Sequence, residues 1–252
     1  MSQPWEIYDA LLDGLPDDVV VRTAGQGPRW SRVLNSAGGV GTAWTMDVRS
    51  RPALNDGPLD GRALRDVGAL AKSWNLAEAS IGQAAINSWY SCEQTAAANG
   101  FEPTGEGLTW RQVFDPYQEM IAGKRVAVIG HFPFAEAALA GAGEYICLER
   151  NLQPGDWPDS ACEYILPECD VVFISSSSFV NKTAPRLIEL SRQAHTVLVG
   201  PSTPLNPVLL DYGVDTITGF VAARSLSDPV SLAEMVPAGD IGPGFRVHRH
   251  RA

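Results

Sequence analysis

The stretch Lys124-Arg125-Val126-Ala127-Val128-Ile129-Gly130-His131-Phe132-Pro133-Phe134 decides the fold of this chain. A basic pair leads into an apolar, β-branched run that has the length of a strand and stops at a glycine. The lack of polar alternation is typical of a strand in a parallel sheet, because such a strand is buried on both faces. Ligands of open parallel sheets bind beyond the carboxyl ends of the strands, so Gly130, His131 and Phe132 are candidate ligand-binding residues.

Strand and helix patterns alternate from residue 124 onwards. The predicted strands cover 125–130, 144–148, 170–175, 196–200 and 214–218, and helical patterns lie between them at 135–141, 159–166, 181–194 and 204–211. This alternation predicts right-handed crossovers and a parallel sheet with helices on both faces. We therefore predict a Rossmann-like domain over 124–252.

The first part of the chain is organised differently. A helical pattern at 5–12 precedes three predicted strands at 19–23, 30–34 and 40–46, and helical spacing returns over 62–90. These clustered strands and helices predict an α+β unit over 1–99. Residues 100–123 form the connection, with a short helix that starts at Asp115-Pro116 and ends at Gly123. The predicted fold class is α/β, with an α+β unit followed by a parallel-sheet domain.

Composition restricts the class of partner. Of the 252 residues, 45% are apolar and 19% are charged, which is typical of a soluble globular protein. The net charge of −10 argues against a nucleic-acid partner, because binding phosphates requires a basic face. The one basic cluster, at 246–251, is interpreted as a solvated tail. A small-molecule ligand is the expected partner.

The sequence shows no pattern of a membrane or secreted protein. No apolar run approaches the roughly 20 residues that span a bilayer, and the N-terminus lacks the basic and apolar regions of a signal peptide. Cys92, Cys147, Cys162 and Cys169 have no C-x-x-C spacing, which indicates reduced thiols and neither a disulfide framework nor a zinc site. We expect a cytoplasmic protein, and a homo-oligomer is compatible with this composition.

An ordered series of motifs carries a family resemblance. It comprises a helical signature over 73–87 and then Gly130-His131-Phe132-Pro133-Phe134, Glu149-Arg150, Gly155-Asp156-Trp157-Pro158-Asp159, Ile165-Leu166-Pro167-Glu168-Cys169-Asp170, Asn181-Lys182-Thr183 and Gly200-Pro201-Ser202-Thr203-Pro204. Together they resemble a prokaryotic family described as "putative heavy-metal chelation". The resemblance implies an enolase N-terminal-like unit, a Rossmann-like unit, and a function connected with metal chelates or metallophores. The run Ser175–Ser178 departs from the family pattern, in which a Gly and a Thr are more usual.

The turn after the first strand of the sheet disfavours NAD(P). It contains the single Gly130 and no G-x-G-x-x-G, so a pyrophosphate cannot approach the backbone closely. Glu149 follows the second strand, where a carboxylate can accept hydrogen bonds from the ribose of an adenosine-type ligand such as S-adenosylmethionine. The alternative is a surface carboxylate paired with the adjacent Arg150.

His131 has three possible roles beyond the first strand. It could ligate a metal ion, act as an acid or base, or hold the loop by a hydrogen bond. No Cys, His or carboxylate lies beside it at the spacing of metal ligands, so the sequence leaves the cofactor open between a metal ion and an adenosine-type ligand.

Polar residues also follow the third and fourth strands. Ser175, Ser176, Asn181 and Thr183 could bind an anion or only cap the next helix. Pro201, Ser202 and Thr203 form a rigid loop suited to a polar ligand, or a turn in which Thr203 is the N-cap.

Two residues of the first unit complete the predicted site. Glu78 and Asn87 lie on a helix dense in small residues, which suits close packing against the edge of the sheet. We expect Glu78, Asn87, His131, Glu149, Ser176, Asn181 and Ser202 to meet in one pocket between the units. The hypotheses are a small-molecule enzyme or ligand-binding protein of metal-chelate chemistry and, alternatively, a non-catalytic interaction module.

Overall fold

The N-terminal part of the chain is built around a three-stranded antiparallel sheet. The structure, a computed structural model, describes residues 3–105, 112–223, 227 and 241–251. The elements of this part are α1 (Glu6–Asp13), β1 (Val21–Gln26), β2 (Trp30–Asn35), β3 (Val40–Trp44), α2 (Leu64–Ala69), α3 (Leu76–Tyr90) and α4 (Glu93–Ala98). The predicted α+β organisation is confirmed.

Helix α3 packs directly on this sheet because glycines stand at the points of closest approach. A Cβ on Gly41 of β3 would lie 1.9 Å from the Ala84 carbonyl oxygen of α3. Gly82 of α3 allows a second close approach, to the segment that follows α2, because a Cβ there would lie 2.0 Å from the Ala71 nitrogen. The Asn75 side chain caps the helix by accepting a hydrogen bond from the Glu78 N–H at 3.2 Å. The position of α3 on the sheet is therefore fixed by backbone contact.

The second sheet contains eight strands and is mostly parallel. Its strands and the helices among them are β4 (Glu102–Pro103), α5 (Gln118–Ile121), β5 (Arg125–Ile129), α6 (Ala135–Ala138), β6 (Glu144–Glu149), β7 (Trp157–Pro158), α7 (Cys162–Ile165), β8 (Val171–Ser175), α8 (Ala184–Leu190), β9 (His195–Val199), α9 (Val208–Asp211), β10 (Thr216–Ala222) and β11 (Gly244–His250). The strand order is β4-β11-β10-β9-β8-β5-β6-β7. Strands β10, β9, β8, β5 and β6 are parallel, as predicted, and the parallel strand β7 was not predicted.

Strand β5 is buried on both faces, as its apolar run predicts. Val126 and Val128 pack in a core with Phe114 and Phe173 on one face. Ala127 belongs to a larger core on the other face, which also contains residues of the N-terminal part such as Tyr8. The two parts of the chain therefore share one hydrophobic core. The domain bounds 1–99 and 124–252 stay predictions.

The interpretation of residues 246–251 as a solvated tail is wrong. This segment lies in β11, which pairs antiparallel with both β10 and β4. Val247 and Arg246 are buried in the sheet. The backbone N–H and C=O groups of β10 need hydrogen-bond partners on the side away from β9, and β11 supplies these partners. The aliphatic stems of its arginine side chains can be buried in the sheet. The charge of the segment concealed a strand pattern.

The helices are shorter than predicted, and the predicted caps differ. The pattern at 204–211 yields only α9, which begins at Val208, so Thr203 is not its N-cap. Helix α8 begins at Ala184 and has Thr183, not Asn181, at the N-cap position. Gly123 ends the connection with φ of 68°, as the predicted helix end required. Among the described residues, no helix has both the length and the apolar composition of a membrane span.

Candidate functional site

The carboxyl ends of β5, β8 and β9 converge tightly. Gly130 follows β5 with φ of 102°, and a Cβ there would lie 2.9 Å from the Ser175 Cβ. Gly200 follows β9 with φ of 120°. Both turns use a left-handed backbone that glycine adopts freely. The loops after these strands therefore leave the sheet at one edge, which is the edge where open parallel sheets bind ligands.

His131 and Asp156 form a hydrogen-bonded pair at this edge. The His131 Nδ1 lies 3.1 Å from each carboxylate oxygen of Asp156. The Asp156 side chain is 4% exposed, whereas that of His131 is 35% exposed. Burial raises the pKa of Asp156, but hydrogen bonds from the Gln153 N–H, the Cys147 thiol and His131 outweigh it, so the pKa lies below its usual value. Asp156 is therefore an anion held inside the loop.

The thiol of Cys147 lies on the inner side of this pair. Its Sγ is 3.9 Å from the Gly130 carbonyl oxygen. Burial, followed by the hydrogen bond and the charge of Asp156, raises the pKa of Cys147 to about 12. The group is therefore a protonated thiol at neutral pH. All four cysteines are free, as expected for reduced thiols.

A candidate metal centre is formed by His131, Cys147 and Asp156, which we call the metal cluster. One ligand atom from each residue lies within 4.8 Å of the others. Imidazole, thiolate and carboxylate are the ligands that zinc and similar borderline metals take in proteins. Three protein ligands leave one position of a tetrahedral ion for an outside donor. The donor set fits a metal ion, and loading it requires the Cys147 thiol to lose its proton.

The Glu149 carboxylate accepts hydrogen bonds from backbone N–H groups of two loops. One oxygen accepts the His131 N–H at 2.8 Å, and the other accepts the N–H groups of Arg150 and Asn151, each at 2.8 Å. The Arg150 guanidinium pairs with Asp159, so the alternative of a Glu149–Arg150 side-chain pair is wrong. Glu149 holds the His131 backbone in place, and a ribose contact by it stays a prediction.

A buried polar layer joins the two parts of the chain. The Gln83 amide of α3 donates to Asn87 Oδ1 at 3.2 Å and to the Ser202 carbonyl at 3.3 Å. The Asn87 amide donates to the Thr42 carbonyl at 2.8 Å, and Ser202 Oγ accepts the Trp44 N–H at 2.8 Å. Gln83 and Asn87 are fully buried. We call Thr42, Gln83, Asn87 and Ser202 the junction layer.

The serine loop after β8 is connected mainly to itself and to the next strand ends. The hydroxyls of Ser175 and Ser177 lie 3.0 Å apart. Thr203 Oγ1 lies 2.7 Å from Ser176 Oγ and 2.9 Å from the Thr218 carbonyl, and both side chains are buried. These contacts brace the turns after β8 and β9.

The other predicted site residues lie around these groups. Phe132 packs edge to face on Phe114, with ring centroids 5.8 Å apart, and Pro201 is half-buried after Gly200. Asn181 Oδ1 accepts hydrogen bonds from the N–H and the hydroxyl of Thr183. The Glu78 carboxylate accepts the N–H groups of two loop residues, at 54 and 55.

The structure thus groups the predicted residues in several places. It brings His131 to Glu149, Ser176 to Thr203 and, through Gln83, Asn87 to Ser202. Within the described ranges, no hydrogen bond links the first of these pairs to the other two. Sequence reasoning missed Cys147 and Asp156 as partners of His131. Two features of the sequence could have indicated them. Cys147 precedes Glu149 by two residues on a predicted strand, and Asp156 lies in the family motif at 155–159.

Comparisons with known proteins cover nearly the whole chain. Two family models, DUF364 over residues 112–245 and DUF4213 over residues 8–90, match it, and both are described as "Putative heavy-metal chelation". A crystal structure of a DUF364 protein of unknown function from Desulfitobacterium hafniense DCB-2 is 37% identical, with a TM-score of 0.85 and coverage of 98% of each chain.

A second solved structure shares the fold. It is a DUF364 protein of unknown function from Pyrococcus horikoshii, 21% identical, with a TM-score of 0.77 over 98% of this chain and 99% of the other. A search of curated proteins finds no match. Since one family model spans more than half of the chain and the 37% identical structure spans almost all of it, the protein belongs to the DUF364 family.

Proposed function

We propose that the protein binds a heavy-metal ion, free or in complex with a small chelator, through His131, Cys147 and Asp156. The observation that carries this proposal is the convergence of their nitrogen, sulfur and oxygen ligand atoms within 4.8 Å. The family description gives the same chemistry, and a Rossmann-like second unit would place ligands at this edge of its sheet.

The chain's own residues prepare such a site in three ways. Glu149 fixes the His131 backbone through a hydrogen bond of 2.8 Å. The Gln153 N–H donates to Asp156 at 2.9 Å and so orients that carboxylate. Cys147 supplies a soft ligand after losing its proton. A bound metal would supply Lewis acidity and a coordination position for an outside donor.

The partial exposure of His131 supports access by a small molecule. A chelator that carries a metal needs to reach the ion while some of its own donors stay attached. An ion held by three protein ligands leaves room for this, whereas four protein ligands would close the centre. We therefore favour handling of a metal chelate over a purely structural ion.

Cadmium titration tests this proposal. A cadmium–thiolate bond absorbs in the ultraviolet. The ultraviolet absorbance of the wild-type protein should therefore rise with added cadmium and stop rising at one equivalent. Cys147→Ser should lose the band, and its affinity should fall at least about 100-fold, since even outer partners of metal ligands contribute 10–100-fold.

Cys92→Ser is the matched control, because Cys92 is a free cysteine outside the cluster. It should bind cadmium as the wild type does. Equal binding by Cys147→Ser and the wild type would refute the site. Absence of binding by the wild type would favour the non-catalytic interaction module.

A further inference from the structure

Lys182 has an unusual backbone conformation at the junction of the two parts of the chain. Its φ is 67°, and it is the one non-glycine residue with positive φ among the described residues. Such a conformation is strained for a side chain with a Cβ and persists where the surroundings impose it. The residues on either side of Lys182 are linked, because the Asn181 side chain accepts hydrogen bonds from both the N–H and the hydroxyl of Thr183.

The ammonium group of Lys182 lies between a carbonyl and an indole. Nζ donates to the Val180 carbonyl oxygen at 2.8 Å and lies 5.7 Å from the ring centroid of Trp74. The Trp74 side chain comes from the N-terminal part and is 56% exposed. The amine is therefore half-buried beside a flat, accessible aromatic wall.

No acidic side chain neutralises this amine by direct contact. Glu78 is near enough to favour the charged form, but its two oxygens accept the N–H groups of residues 54 and 55 at 2.8 Å. Among the described residues, no carboxylate forms an ion pair with Lys182.

The surroundings also change the basicity of the amine. Burial lowers the pKa of Lys182 to about 8, although Glu78 acts in the opposite direction. A neutral amine is then available at mildly alkaline pH. Arginine cannot provide this, because its guanidinium stays protonated. The chain has 19 Lys and Arg residues, of which only Lys72, Lys124 and Lys182 are lysines.

We propose that Lys182 Nζ is a nucleophile that condenses with the carbonyl group of a small aldehyde or ketone ligand. The nitrogen lone pair forms a C–N bond to the carbonyl carbon, and the carbonyl oxygen takes up a proton. The resulting carbinolamine loses water as its C–O bond breaks, which leaves a protonated imine. The exposed face of Trp74 supplies an apolar wall for the carbonyl compound.

Reductive trapping tests this proposal. The folded protein is treated with glyoxylate and cyanoborohydride at pH 7.5, and the modified lysines are located by peptide mass spectrometry. Lys182 should react at least about tenfold faster than Lys124, because burial lowers the pKa of Lys182 to about 8 and so raises its fraction of neutral amine. The rate at Lys182 should rise with pH and level off above about pH 8.

Two variants keep the test decisive. Lys182→Arg retains a cation for Val180 and Trp74, and it should remove the fast phase of labelling while circular dichroism stays unchanged. Lys124→Arg should leave the fast phase in place. Labelling of Lys182 no faster than that of Lys124 would overturn the proposal, as would a fast phase that survives in Lys182→Arg.

The test is independent of the metal proposal. Lys182→Arg should bind cadmium as tightly as the wild type, since Lys182 contributes no ligand atom to the metal cluster. A failed trapping experiment with normal cadmium binding would remove only the amine proposal. The opposite result would remove only the metal site.

Discussion

The metal cluster and the junction layer are both groups of polar side chains drawn from different elements, yet they differ in chemistry and exposure. The metal cluster combines three titratable side chains and reaches the surface through His131. The junction layer consists of amides and hydroxyls, and its Gln83 and Asn87 are fully buried. Neutral polar groups that satisfy one another hold a structure together, whereas convergent titratable groups near solvent can exchange protons and bind ions. Polarity alone does not separate these two cases.

The largest expected effect tests the structural role of the junction layer. Asn87→Leu removes the donor to the Thr42 carbonyl and the acceptor of the Gln83 amide, and it leaves both groups buried. The Gln83 amide keeps its hydrogen bond to the Ser202 carbonyl, and a buried polar group that loses its partner costs about 1–3 kcal/mol, so the free energy of unfolding should fall by up to about 3 kcal/mol. Urea denaturation without metal measures it. His131→Asn, at the surface, should lower it by less than about 1 kcal/mol.

The second prediction reverses the comparison. His131→Asn should weaken zinc binding on the order of 10–100-fold, because an imidazole ligand is lost while the backbone N–H to Glu149 is kept. Asn87→Leu should bind zinc as the wild type does under conditions where it is folded. Calorimetric titration provides both affinities. A larger loss of affinity in Asn87→Leu would show that the junction layer belongs to the metal site.

The third prediction concerns the Cys147 proton. Because the pKa of Cys147 is raised to about 12, the thiol is protonated between pH 6 and 8, and metal binding must release that proton. The apparent affinity for cadmium should therefore rise about tenfold per pH unit over this range. Titrations at several pH values measure the slope. A flat profile would show that the thiolate is not a ligand.

The smallest expected effect concerns the histidines at the other end of the sheet. Burial lowers the pKa of His195 and of His248, and the charge of His250 lowers both further. The unfolded chain then binds protons more readily than the folded chain. Stability is complete above the unfolded pKa, near 6.5, and is lost as pH falls through the lowered folded values. Thermal unfolding of His248→Phe between pH 7 and 5 should show a weaker pH dependence than the wild type.

The fold was largely predictable because its local signals agree with its global organisation. The apolar run 125–130 identified a strand buried on both faces, and β5 has that position. Residues 246–251 gave the opposite result. Their charged side chains obscured the apolar residues Phe245 and Val247 in the sequence pattern. They form a strand because β10 needs a hydrogen-bonding partner on that side.

The candidate site was less predictable, because its partners are distant in sequence. His131, Cys147 and Asp156 are separated by 16 and 9 residues, and parallel pairing of β5 with β6 brings them together. No linear spacing rule for metal ligands covers such a set. For Glu149, the position at a strand end predicts a ribose contact, but in the structure its carboxylate accepts backbone N–H groups of His131 and Arg150. Sequence identifies the edge of the sheet more readily than the role of each side chain there.

Strand β11 also has a consequence for biosynthesis. It lies between β4, at residues 102–103, and β10, at residues 216–222, so it pairs with segments made much earlier. On the ribosome, the open side of β10 has no partner until residue 250 has emerged. An uncovered strand edge can recruit a second chain, so the nascent chain is prone to aggregation during this interval. Slow translation of the last codons would lengthen this period of exposure.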